Sequence, residues 1–290
     1  MFERPAVSTP TRSAALWEPR IARARALALE HRSAREALTF FAALLEYQRS
    51  LFPGAASGPG PADFAEAVDL NAAAAAVPAF LVWLERTAPP ALALAAGSLR
   101  GERTAWGRLM RESLQRRDPE DIPACDAPKA FVVDAVLQPY AEAAARQQEL
   151  GRPSHRSAPR APRCPTCGDP PCLGILREEG QGAKRTLLCG RCATEWEYLR
   201  VVCPGCGEEA FDRLPVYTAG AFSQVRVEAC DACRRYLKTI DLTQDGLAVP
   251  VVDDIASLPL DLWAREHGYR RLRANVLRTS DPLLRPEPTA

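Results

Sequence analysis

LLCGRCATEWEYLRVVCPGCG, residues 187–207, holds two C-x-x-C pairs of unlike form. In CGRC (189–192) the pair has no proline and is followed by Ala193; in CPGC (203–206) Pro204 follows the first cysteine and Gly207 the second. Reading outward, CPTCG (164–168) repeats the second form and CDACR (230–234) the first, so the order along the chain is A-B-A-B. Cys164 to Cys203 is an offset of 39 residues and Cys189 to Cys230 one of 41. An aromatic follows each B pair at a similar distance, Trp196 after Cys192 and Tyr236 after Cys233. A unit of about 40 residues is therefore duplicated in tandem, the mark of stacked supersecondary units.

A C-x-x-C turn sets two sulfurs at one vertex, with backbone N–H groups directed at them. Glycine behind the second cysteine permits the positive φ that closes the turn. Two such turns brought together complete a tetrahedral four-sulfur site with metal–sulfur bonds of about 2.3 Å for zinc. The pairs of each unit are separated by 21 residues (168–188) and 23 residues (207–229), close to the ribbon spacing of C-x-x-C pairs. The order predicts that each unit closes its own site: Cys164, Cys167, Cys189 and Cys192 in the first, Cys203, Cys206, Cys230 and Cys233 in the second. Two metal ions, Fe or Zn, each bound by four Cys, are the expected cofactors, because four thiolates suit either metal.

Rival chemistries fit less well. A redox dithiol wants one C-x-x-C at a helix start in a βαβ unit, and an iron–sulfur cubane wants the tight ferredoxin run. Two cysteines stand outside the repeat. Cys172, in CPTCGDPPC (164–172), has no duplicate, since Phe211 occupies the matching place; it is expected to be a buried small hydrophobe or a spare thiol. Cys125 is expected to have no metal role.

The rest of the chain predicts an α+β architecture: an N-terminal all-α helical bundle, two tandem rubredoxin-like or zinc-ribbon β modules, and a C-terminal helix. The helical domain is placed at 1–150, a Pro/Arg-rich linker at 151–162, the two ribbons at 163–200 and 201–245, and the C-terminal helix and tail at 246–290. Glu18-Pro19 suits a helix start with proline first. Downstream, Leu27, Ala34, Leu38, Phe41, Leu45 and Phe52 recur at helical spacing. A flexible connection is expected at 53–62, and further helical runs near 64–87, 91–98, 102–117 and 128–149. In the last of these, Val133, Leu137, Tyr140 and Ala144 share a face and Pro139 should kink or restart the helix. His155 in the linker is expected to be exposed. Strands are predicted at 185–189, 198–203, 224–230 and 236–242, and a last helix near 254–267.

Composition narrows the function. The chain has 290 residues and a formal net charge of +1, and residues 160–245 carry twelve basic and twelve acidic side chains. Without a basic face the counterion release that drives phosphate binding is missing, so a nucleic-acid-binding zinc ribbon is disfavoured. The longest apolar run, 71–84, contains Pro78 and is shorter than the ~20 residues a membrane helix needs. The N-terminal residues lack an export-signal layout, which makes a cytoplasmic location and no membrane insertion the expectation; there, clustered cysteines more often bind metal than form disulfides. No G-x-S-x-G, H-E-x-x-H or Walker phosphate loop occurs, and His31, His155 and His267 are dispersed. A sealed four-sulfur site leaves no open coordination position, so no catalytic residues are assigned.

The segments RCPTCG (163–168), LLCGRCATEWEYLRVVCPGCG (187–207), VEACDACRRYLKTID (227–241) and DDIASLPLDLWAREHGYRR (253–271) resemble the formate dehydrogenase accessory protein family called FdhE. The last segment is informative because ordinary zinc ribbons carry no such helix-like sequence behind them. The N-terminal half agrees only in being helical and of suitable length. The resemblance implies a cytoplasmic, non-catalytic maturation factor that binds the catalytic subunit of a formate dehydrogenase. It also implies rubredoxin-like sites on the same eight cysteines, with iron and redox behaviour possible; Cys172 is not part of the family's pattern. The alternative is a rubredoxin-like iron redox protein.

Overall fold

Apolar residues at helical spacing fold the first half of the chain into helices that share one core. The computed structural model describes residues 12–53, 61, 63–115, 127–151 and 161–278. Most of the Gly/Pro-rich connection at 53–62, Cys125, the stretch 152–160 with His155, and the tail from 279 lie outside the described residues. The helices are α1 (Arg12–Glu30), α2 (Arg35–Leu51), α3 (Phe64–Ala67), α4 (Leu70–Thr87), α5 (Pro90–Gly101), α6 (Trp106–Gln115) and α7 (Ala127–Gly151). Their core is built round Trp17, Leu38, Phe80, Leu84 and Phe131, all fully buried. The ring of Phe80 stacks on Trp83 at 5.6 Å between centroids. No described helix is long and apolar enough to cross a membrane.

Two helix boundaries differ from expectation. α1 does not start at Pro19 but runs through it from Arg12. Burial of Trp17 against Phe52 (5.9 Å) holds the turns ahead of the proline, which offsets the hydrogen bond that Pro19 cannot donate. The predicted run at 64–87 is two helices, because Asp69 leaves helical geometry and caps α4 by accepting from the Ala72 N–H (2.9 Å).

α7 is one unbroken helix across Pro139. Proline lacks the N–H that would bond the carbonyl of Ala135, four residues back. The Nε2 of Gln48, fully buried on α2, donates to that carbonyl at 2.8 Å. A side chain from a second helix thus supplies the donor that proline removes, and the helix does not restart.

The second half folds into a seven-stranded sheet in the order β3-β2-β1-β6-β5-β4, with β7 (Arg270–Arg271) beside β6. The first unit contributes β1 (Pro171–Glu179), β2 (Gly182–Cys189) and β3 (Glu195–Glu197); the second contributes β4 (Val216–Thr218), β5 (Val225–Cys230) and β6 (Arg235–Asp241). Each unit is an antiparallel meander. The units join where β1 pairs parallel with β6, from Leu173↔Lys238 to Leu176↔Asp241. Two copies of one motif are therefore laid head to tail in a continuous sheet.

The ladder also corrects the aromatic alignment of the repeat. Trp196 pairs with Leu187, two residues before Cys189, and Leu237 pairs with Glu228, two before Cys230. Trp196 corresponds to Leu237 and not to Tyr236. The expected strand at 198–203 is absent: the chain turns there, and Arg185 donates to the carbonyls of Leu199 (3.0 Å) and Val202 (3.2 Å), satisfying groups that a ladder would otherwise need.

The last helical segment is two helices, α8 (Pro250–Ala256) and α9 (Leu258–Glu266), broken at Ser257. Pro259, in the first turn of α9, cannot continue the preceding hydrogen-bond ladder. The Ser257 hydroxyl donates back to Asp253 and Asp254 carbonyls. Val252, Ile255 and Ala256 of α8 lie in the core of the N-terminal helices, so this segment ties the two halves together. Beneath it Lys238 of β6, fully buried, bonds Asp254 (2.9 Å) and Asp261 (2.7 Å). Arg271 binds the same two carboxylates. Burial works against the charge of Asp254, but Arg271 and Lys238 outweigh it and hold the carboxyl below its ordinary range.

Candidate metal centre

The four C-x-x-C turns fold alike. In both A turns the first cysteine's N–H bonds the carbonyl five residues on (Asp169 and Glu208, each 2.9 Å), and the glycine N–H returns to the cysteine carbonyl (Gly168 and Gly207, each 2.9 Å). Those glycines have φ of 75° and 79°. The B turns take the same left-handed step without glycine, at Ala193 and Arg234, both with φ 56°. This conformation costs a non-glycine residue roughly 1–2 kcal/mol, so closure of the turn carries strain that the surrounding structure must hold.

The turns bring the cysteines into the two sets that the repeat predicts. Sulfurs of Cys164, Cys167, Cys189 and Cys192 form one group, and those of Cys203, Cys206, Cys230 and Cys233 the other. Sulfur separations are 3.6 Å for Cys164–Cys192, 3.4 Å for Cys167–Cys189 and 3.6 Å for Cys167–Cys192. In the second group Cys203–Cys233 is 3.8 Å and Cys206–Cys230 is 3.6 Å. A tetrahedron with bonds of about 2.3 Å to a central metal has edges of about 3.8 Å, whereas a disulfide needs about 2.05 Å. The donor sets fit a metal ion and do not fit disulfides.

Electrostatics points the same way. Hydrogen bonds from Cys167, Cys189 and Cys192 draw the Cys164 thiol far down, while burial pushes Cys189 and Cys192 well up. In the second group burial raises Cys203 and takes Cys233 to about 11. At Cys206 the upward push of burial is outweighed by the Glu208 amide and the neighbouring sulfurs. Within each group neighbouring sulfurs and burial thus push thiols in opposite directions. A cation at the centre would let the buried thiols ionise.

The two groups differ in cover. Three sulfurs of the first are buried and Cys167 is half-buried; they pack with Trp196, Tyr198 and Leu187 against Ala141 and Ala145 of α7. Arg191, inside the first group's B turn, bonds Asp169 and Ser113 of α6 (both 3.2 Å). In the second group Cys206 is exposed and Cys233 half-buried. Gly205 donates its N–H to the Cys203 sulfur at 3.3 Å.

Cys172 belongs to neither group. It sits on β1 at 4% exposure with Leu173, Ile175 and Leu188. Cys125 lies outside the described residues. The cover supplied by α6 and α7, and Thr194 Oγ1 at 3.2 Å from the Cys192 sulfur, have no motif in the sequence. The exposure of Cys206 could not be read from it either.

The family model "FdhE, central domain" matches residues 163–200, and "FdhE, C-terminal domain" matches 201–278. The crystal structure of the FdhE protein from Pseudomonas aeruginosa superposes with a TM-score of 0.66 at 26% identity, over 93% of this chain and 96% of that one. The chain belongs to the FdhE family. The Protein FdhE homolog of Pseudomonas putida is 32% identical over 68% of this chain and 64% of its own length. The FdhE homolog of Aquifex aeolicus is 40% identical over 39% of this chain and 41% of its own. The chain thus spans less than two thirds of these curated FdhE relatives. Both family-model matches lie in the cysteine-bearing half, and each contains one A turn and one B turn.

Proposed function

We propose that the chain is an accessory factor for a formate dehydrogenase, binding the catalytic subunit during its maturation, with one metal ion in each four-cysteine group and no catalytic activity of its own. Cys164, Cys167, Cys189 and Cys192 would hold one ion, and Cys203, Cys206, Cys230 and Cys233 the other. The observation that carries this reading is the pair of closed four-sulfur groups on a continuous sheet in an FdhE-family chain. Bound zinc would supply folding energy to ribbons too small to fold on core burial alone; bound iron would add a one-electron couple. The neutral charge balance of 160–245 speaks against a nucleic-acid partner, and the cytoplasm is where such a client would be met.

Co-purification with the catalytic subunit from cells expressing both is the test. A stable complex is expected, and its absence would count directly against the reading. The exposure of Cys206 favours one second reading, a rubredoxin-like iron protein that passes electrons through the second group. Colourless native protein with zinc in both sites would remove it.

A further inference from the structure

A cleft of about 200 Å³ opens at the seam between the two units. Leu176 and Arg185 of the first unit, the connection Arg200–Val202, and Leu214 and Val216 of the second contribute to its lining. Cys203, Gly205 and Cys230 also border it, so the cleft abuts the second cysteine group. Two features set it apart. Val201 and Val216 are each 52% exposed, and Phe211, three residues ahead of the lining Leu214, is 82% exposed. Charge is the other: Arg185, Arg200, Arg226 and Arg235 line the cleft against one carboxylate, Glu228, in a region whose overall charge is balanced.

Arg185 and Arg226 already face Glu228 and Asp241. Arg200 is exposed, donates to the Ala183 carbonyl (3.1 Å), and meets no carboxylate among the described residues. Pockets for drug-sized ligands run to about 300–1,000 Å³, so this cleft suits a few side chains better than a cofactor. Among the described residues β4, which carries Val216, ends the sheet and pairs only with β5, so that no described strand takes its outer backbone edge. Such an edge accepts an extended segment as an added strand.

We propose that this cleft docks an extended segment of the client's catalytic subunit bearing apolar and acidic side chains. The inference rests on the accessory-factor reading and names its contact surface. The apolar side chains would cover Val201 and Val216, and a carboxylate would pair with Arg200. An alternative role for the arginines is to balance the negative charge of the metal thiolates, but that role does not require exposed valines.

The test uses the purified full chain and the catalytic subunit of a formate dehydrogenase. Wild type is expected to bind, more weakly as salt rises. Arg200→Glu and Val201→Glu should each raise Kd at least tenfold with metal content unchanged, while Arg200→Lys and Leu29→Glu, a change at an exposed site on α1, stay near wild type. Independently of any variant, amide exchange at 200–202 and 216–218 should slow in the wild-type complex. Unchanged Kd in both glutamate variants, absence of that protection, or metal loss with unchanged Kd each overturns the cleft assignment while leaving the accessory reading standing. Failure of wild type to bind overturns the accessory reading itself.

Discussion

Cys172 illustrates how a residue's surroundings, and not its chemistry, set its role. Burial pushes its thiol up to about 12, so at neutral pH it is a protonated, apolar-sized group among Leu173, Ile175 and Leu188. Cys172→Ser places a hydroxyl in that cluster and is expected to cost about 1–3 kcal/mol in denaturant unfolding, with metal content unchanged. Loss of a metal equivalent would make Cys172 a ligand. Glu142, fully buried on α7, shows the opposite case: it is charged because Arg20 holds both its oxygens at 2.9 Å and Arg146 adds a third contact at 3.1 Å. Burial alone would raise its pKa; the two arginines outweigh it, so the carboxyl titrates below its ordinary 4.5. A depressed carboxyl stabilises fully above the unfolded pKa and loses that contribution as pH falls through the native value. The melting-temperature gap between wild type and Glu142→Gln should therefore be constant from pH 7 to about 5 and close below about 4. A gap that widens in acid would contradict the assignment.

At the scale of elements, the Pro139–Gln48 pairing is the clearest case of a helix completed from outside. Gln48→Met keeps the volume and removes the donor, leaving the Ala135 carbonyl buried and unpaired, at a cost of about 1–3 kcal/mol. In a Pro139→Ala background, where the helix supplies its own N–H, the same change should cost less; equal costs in the two backgrounds would sink the explanation. The cysteine turns were legible in the sequence because C-x-x-C spacing and Gly168 and Gly207 are local signals. β1 was not. It opens at Pro171, directly after Pro170, and contains Gly174, which masks the strand pattern, and its partner β6 lies some sixty residues downstream in a parallel pairing that no short window reveals. Gly174 is required there, since a Cβ would come within 2.3 Å of Thr239 Oγ1. The break at Ser257 was hidden for a similar reason: its geometry is held by Lys238 on a distant strand, whose ammonium bonds the Ser257 carbonyl and hydroxyl.

At the scale of the whole molecule, the duplication produces two sites that are chemically equal and physically unlike. The first unit faces α6 and α7, while in the second Cys206 is exposed and Cys203 and Cys230 border the arginine-lined cleft. That difference arises from where the helices pack and could not be read from eight equivalent cysteines. A chelator should therefore strip metal in two phases, with the phase from the Cys203/Cys206/Cys230/Cys233 group faster; site assignment by cysteine-to-serine variants checks the order. Single-phase release would show that both groups open together. The two units also share one sheet through β1 and β6, yet each group takes its four sulfurs from its own unit. Metal analysis of the native chain and of Cys203→Ser tests this most directly. Two ions per chain are expected, falling to one in the variant with the Cys164/Cys167/Cys189/Cys192 site still filled; fewer than two in the native chain, or loss of both from the single substitution, would contradict it.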